Sequence, residues 1–257
     1  MTDLAIQLPG GHRLVSLAEE PNLRDALGSV HVSVWPTFMV EGGDAAAARN
    51  WDRLFSTWPE FQLCLFDAGG RLVAAHNSAP LAWDGTDDGL PEGWDDQFER
   101  SAAGADAGRA PDTLGAIQIV VDPAVQGSRL SGVMIEAMRA NARRHGFRAL
   151  IACVRPTMKA RYPITPIERY ASWTRDDGLP FDPWIRLHVR LGGRIVRSSP
   201  RSMTYRGTLS EWEAWTGMAF PESGEYVVEG GAATVRIDRV ADVGVYHDPN
   251  VWVVHAL

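Results

Sequence analysis

Apolar positions recur along this chain in two rhythms, and the change from one to the other is sharpest between Leu114 and His145. Ile117, Ile119, Val120 and Val121 form a dense β-branched run, as expected of a strand covered on both faces. Asp122-Pro123 closes it, because proline has no N–H to give to a ladder and fixes its own φ. After the loop Val125-Gln126-Gly127-Ser128, residues Leu130, Val133, Met134, Ala137 and Met138 return at helical spacing. Arg139, Arg143, Arg144 and His145 crowd the last turns, where cations suit the carbonyl end of a helix, and Gly146 is placed to stop it.

The same reading orders the rest of the first half. Residues 13–17 alternate like a strand. Leu23, Leu27, Val30, Val34 and Phe38 follow at helical steps, interrupted at Pro36. Asp44 can cap a helix over 45–58, with Trp51, Leu54 and Phe55 inward. Two strands, 61–66 and 71–75, flank the hairpin turn Asp67-Ala68-Gly69-Gly70. Residues 84–112 are rich in Gly, Asp and Ala and read chiefly as a mobile connection, with a short helix near 94–100. Ala149–Val154 is another buried strand. The order is strand, helix, helix, strand, strand, strand, helix, strand.

The second half is less regular. Five prolines punctuate 155–183, leaving room for a short helix over 166–175. Asp182-Pro183 opens a helix through Trp184, Ile185, Leu187, His188 and Leu191, closing at Gly192-Gly193. Residues 193–207 read as one or two strands, 211–215 as a short helix, and 227–228, 234–237 and 251–255 as further strands. A single domain is expected, with a core over 11–208, an insertion over 155–183 and a C-terminal β extension over 209–257.

The turn after Asp122-Pro123 carries the chemistry. A helix start leaves unpaired N–H groups with partial positive charge, and small residues let a phosphate approach them. No Walker lysine follows and GxGxxG is absent, which disfavours a nucleoside triphosphatase or a nicotinamide site. The run Gln126, Gly127, Ser128, Arg129, Leu130, Ser131 resembles the pyrophosphate-binding motif of the GNAT acyltransferases: Gln or Arg, two residues, Gly, one residue, Gly or Ala. Gln126 matches; Arg129 stands at the Gly position and Ser131 at the Gly or Ala position. The element order through the fifth strand is also similar to that family. The resemblance implies an α/β GNAT-like fold with a mixed sheet. It also implies an acyl-CoA co-substrate whose diphosphate lies on 126–131 and whose pantetheine arm pairs with the backbone of Ile119 and Val121. Where the family has Leu-Tyr, three residues, Gly-Phe, this chain has Leu187-His188 and then Gly192-Gly193. His188 therefore takes the place of the tyrosine general acid, with a purely structural histidine as the alternative.

Composition narrows the acceptor. A net charge of -7 disfavours nucleic acid and anionic membrane as partners. No apolar run approaches the roughly 18 residues of a membrane span, and no signal peptide is evident. Cys64 and Cys153 suit buried thiols in the cytoplasm, and no Cys or His spacing indicates a metal. His76, Tyr162, Tyr170 and Trp184 are weaker candidates for the acceptor site, each also readable as packing, with the Pro-rich segment as a lid. Gln118 sits where a carboxylate base would be useful, so no general base is apparent. Arg155, Lys159 and Arg161 form a basic patch that reads first as solvated, with contact to a carboxylate or to a cofactor phosphate as the alternatives. The β-rich end could serve a homodimer interface.

The leading expectation is an N-acyltransferase acting on a small-molecule amine. Carried beside it are a GNAT-like thioester decarboxylase or S-acyltransferase, suggested by the missing tyrosine, and a non-catalytic binding module.

Overall fold

The computed structural model describes residues 6–27 and 35–257. The expected helix positions Val30 and Val34 lie outside them. Among the described residues nine strands form one mixed sheet, in the order β1 (Arg13–Ser16), β2 (Leu63–Phe66), β3 (Leu72–Leu81), β4 (Thr113–Val121), β5 (Ala149–Val154), β9 (Val243–Ala256), β8 (Val235–Asp238) and β7 (Gly224–Tyr226). β6 (Arg194–Gly207) runs antiparallel along β9. Among the described strands only β4 and β5 pair in parallel. They are joined through α4 (Leu130–Arg144), the crossover that parallel neighbours require. Its apolar stripe, from Leu130 through Met134 and Ala137, packs on Leu63, Leu65 and Ala74 of the sheet.

The C-terminal segment lies inside the sheet. Val251–Ala256 pairs with β5, and Val243–Tyr246 pairs with β8. Pro249 falls where β9 changes partner, opposite the register break between Ser199 and Met203 on β6. Proline is tolerated there because that ladder is already interrupted.

The short helix expected near 94–100 is present and runs on to Asp106 as α3 (Trp94–Asp106). Trp94 and Phe98 enter the core, and Trp51 of α2 (Ala45–Ser56) meets Phe98 edge-on at 6.5 Å. The Pro-rich segment is also packed. Around α5 (Ile167–Ala171), Tyr162, Tyr170, Trp173 and Phe181 form an aromatic cluster against Val154 and Val251. No helix of the described residues is long and apolar enough to cross a membrane.

Candidate active site

β4 and β5 pair only as far as Ala116↔Ala152; beyond that they diverge. The cause is local. Ile117 is an extra residue between the pairs Ser78↔Ala116 and Asn77↔Gln118, a bulge that bends β4 away from its parallel neighbour. Its carbonyl is taken up by the Trp94 indole N–H at 2.7 Å, and that of Ala116 by Gln97 Nε2 at 2.9 Å. Asp122 donates its N–H to Val73 on β3. By the two-residue alternation of a strand, Ile119 and Val121 then turn their N–H and C=O groups to the open gap. Gln118 faces a chain of satisfied amides instead: its Nε2 donates to Asn77 Oδ1 at 2.7 Å, and Asn77 donates to Gln62 at 2.9 Å.

A cavity of about 680 Å³ fills the gap. Ile119, Val121, Gln126, Ser131, Trp184 and His188 all line it. At one end the loop rises from a short helical turn, Pro123–Val125, into α4. Gly127 (φ 84°) and Arg129 (φ 65°) are both left-handed. The N–H groups of Gly127, Arg129, Leu130 and Ser131 make no hydrogen bond to any described residue, and the Arg129 side chain is exposed. Unpaired amides at a helix start carry partial positive charge, which suits an anion.

On the opposite wall stands α6 (Pro183–Arg190), capped by Asp182, whose Oδ1 accepts from the N–H groups of Trp184 and Ile185. Asp182 Oδ2 takes the Met158 N–H and the Tyr170 hydroxyl, so one carboxylate ties the Pro-rich segment to the helix. His188 on α6 is 3% exposed, with Trp184 edge-on at 4.6 Å. Its Nδ1 lies 2.9 Å from His255 Nε2, and its own Nε2 has no partner. Burial, then the neighbouring imidazole, lowers its pKa from 6.5 to about 3, so the ring is neutral near physiological pH.

Three of the four weaker candidates lie elsewhere. His76 is fully buried in β3 between Leu63 and Ile119, lines no part of the cavity, and is held neutral by burial. Tyr162 and Tyr170 belong to the aromatic cluster; Tyr170 is 1% exposed and donates to Asp182, so neither forms a lid over the cavity. Within the basic patch Arg161 is exposed as expected, while Arg155 and Lys159 are not solvated. Arg155 pairs at 3.0 Å with Asp248, which is 0% exposed, and the Lys159 ammonium donates to the carbonyls of Tyr162 and Ala232.

Some groups became visible only in the fold. Asp44 caps α2 through the N–H groups of Ala46 and Ala47, and it also lines the cavity. Its Oδ2 and Asp95 Oδ2 both accept the Thr204 N–H at 3.1 Å. Burial, then the nearby Asp44 carboxylate, pushes Asp95 up to about 9, so the pair holds one proton at neutral pH. The pair also borders an adjoining recess of about 550 Å³ with Asp96 and Glu99. Cys153 lines the main cavity, but burial raises its thiol to about 12, which leaves it protonated and a poor nucleophile.

No family model matches the chain. It is 31% identical, over an alignment of 288 positions, to the arginine N-acetyltransferase avaD of Aspergillus versicolor; the alignment spans 100% of this chain and 98% of that one. The loading GNATL domain of CurA from Lyngbya majuscula superposes with a TM-score of 0.60 at 15% identity, over 95% of this chain and 97% of that domain. The GphF GNAT-like decarboxylase in complex with isobutyryl-CoA gives a TM-score of 0.55 at 19% identity, over 95% and 98% of the two chains. At such identities the two structures establish a common fold and nothing finer.

Proposed function

Because the chain belongs to the GNAT superfamily of N-acyltransferases, we propose that it moves an acyl group from acyl-CoA to the amine of a small cationic molecule. The observation that carries this reading is the split between β4 and β5, whose cavity reaches the unpaired Ser131 amide at the start of α4 and the partnerless imidazole of His188.

Each part then has a task. The unpaired amides of Gly127, Arg129, Leu130 and Ser131 hold the diphosphate of the co-substrate, with Gln126 beside them. Ile119 and Val121 offer backbone groups to the amides of the pantetheine arm, as a partner strand would. The thioester carbonyl then lies near the bulge, with His188 on the facing wall to exchange a proton with sulfur. Thioesters are already activated, so positioning the amine and handling one proton are the remaining needs.

Two independent features favour a cationic acceptor. The curated relative is named for arginine. In this chain Asp44 lines the cavity and Asp95 stands behind it in the adjoining recess, so a guanidinium or ammonium at Asp44 would draw off the shared proton and make an ion pair.

The test is thiol release from acetyl-CoA with arginine or norleucine as acceptor. Release with arginine, and much less with norleucine, supports the reading; no release with any amine overturns it. Malonyl-CoA without acceptor is run beside it, and acetyl-CoA appearing there would favour the decarboxylase reading instead.

A further inference from the structure

His188 and His255 share one hydrogen bond, and its direction decides what His188 can do. The bond spans 2.9 Å between His188 Nδ1 and His255 Nε2, and the two rings are 3% and 0% exposed. Only one of these nitrogens can carry the proton when both rings are neutral. If His255 donates, His188 presents Nε2–H to the cavity. If His188 donates, it presents a lone pair.

We propose that His255 is a positioning residue that accepts the His188 Nδ1 proton, leaving His188 Nε2 bare toward the cavity. His188 then takes the proton of the attacking amine and passes it to the departing thiolate. This rests on the acyltransfer reading above.

The surroundings of His255 select that direction. The Leu191 carbonyl, at the end of α6, faces its ring and favours an N–H there, although Nδ1 falls short of full hydrogen-bond geometry. With the proton at His255 Nδ1, its Nε2 can only accept. Leu191 is itself held, since Arg139 Nη1 of α4 donates to the same carbonyl at 3.1 Å. Arg139 is also a cation that faces His255, and with burial it lowers the His255 pKa to about 4, so that ring stays neutral near physiological pH.

The ring is seated by a close approach. A Cβ on Gly193 would lie 2.8 Å from His255 Cε1, 2.8 Å from the His188 carbonyl oxygen and 2.7 Å from Val253 Cγ1. Only glycine leaves room there for an imidazole beneath the end of α6.

The step balances. The free amine nitrogen forms its bond to the thioester carbon, and the carbon–sulfur bond breaks. The proton shed by nitrogen moves to His188 Nε2 and then to sulfur. Amide and thiol leave, and His188 is again neutral.

The first test needs no turnover. Long-range 1H–15N spectra of the histidine-labelled full chain, with His188 assigned through H188Q, are expected to show His188 protonated at Nδ1 and bare at Nε2. A proton on Nε2 overturns the proposal. In the thiol-release assay, H255L should lose at least about tenfold in kcat with KM for acetyl-CoA unchanged. H255Q, whose amide oxygen can accept from Nδ1–H, should recover most of it. Full turnover in H255L, or H255Q as slow as H255L, overturns it. If the wild-type chain releases no thiol, the acyltransfer reading fails, while the spectra still decide the direction of the bond.

Discussion

Replacing Arg129 by glycine separates what the loop owes to its backbone from what it owes to a side chain. Arg129 is the N-cap of α4 at φ 65° and ψ 8°, a left-handed conformation. For a residue with a Cβ that conformation costs about 1–2 kcal/mol. Glycine removes this cost but brings back about 0.5–1 kcal/mol through the freedom of the unfolded chain. The net gain is about 0.5–1 kcal/mol, or about 1–4 °C in melting temperature for a chain of this size. The guanidinium makes no hydrogen bond or ion pair with the described residues, so R129A keeps the strain and should melt like the wild type. Thermal unfolding of the three proteins, with and without acetyl-CoA, is the assay. R129G is expected to melt highest, and the shift caused by acetyl-CoA should survive in both variants, because backbone amides supply the grip. The reasoning is refuted if R129G melts no higher than R129A. It is refuted equally if the shift disappears in R129A, since the cation would then be the anchor.

Other consequences follow from single groups. D182A removes an acceptor of three N–H groups and the Tyr170 hydroxyl, so denaturant titration should show a loss of about 2–4 kcal/mol, with kcat falling as α6 loosens. Asp95 rises from 3.8 to about 9 on folding, so the folded chain keeps a proton that the unfolded chain releases, and stability drops as pH rises through that window. D95N should therefore raise the melting temperature in mildly alkaline buffer and do less toward the acid end; an equal effect at both ends would contradict the shared proton. His76 and His188 fall from 6.5 to about 3 and His255 to about 4. Below 6.5 the unfolded chain takes up protons that the folded chain refuses, so stability is lost as pH falls from there toward 3. H76M should flatten that slope in denaturant midpoints measured against pH, since both His76 ring nitrogens lack partners.

What could be read from the chain was local. The run Ile117 to Val121, the stripe from Leu130 to Met138 and the cap at Asp182 each declare themselves within one or two turns, and the structure has them as β4, α4 and α6. Only the first part of α3 was legible, because much of its buried face is Gln97, Ser101, Ala102 and Gly104, which carry little apolar signal. Arg155 and Lys159 looked solvated because charge alone says so. Asp248, which buries Arg155, lies 93 residues further along the chain. The same distance problem hid the rest of the candidate site. His188 meets His255 across 67 residues, and Asp44 looked like a cap because it is one, with nothing nearby to announce Asp95. Periodicity reports which face of an element is covered, never by what.

The central claim is that the amides at the start of α4 hold the diphosphate of the acyl donor. A crystal structure of the full chain with acetyl-CoA tests it most directly. The diphosphate oxygens should lie within hydrogen-bonding distance of N–H groups among those of Gly127, Arg129, Leu130 and Ser131, with the thioester between β4 and β5 and its sulfur near His188 Nε2. Acetyl-CoA bound with its diphosphate away from that loop, or a gap between the strands left empty by the pantetheine arm, would contradict the account.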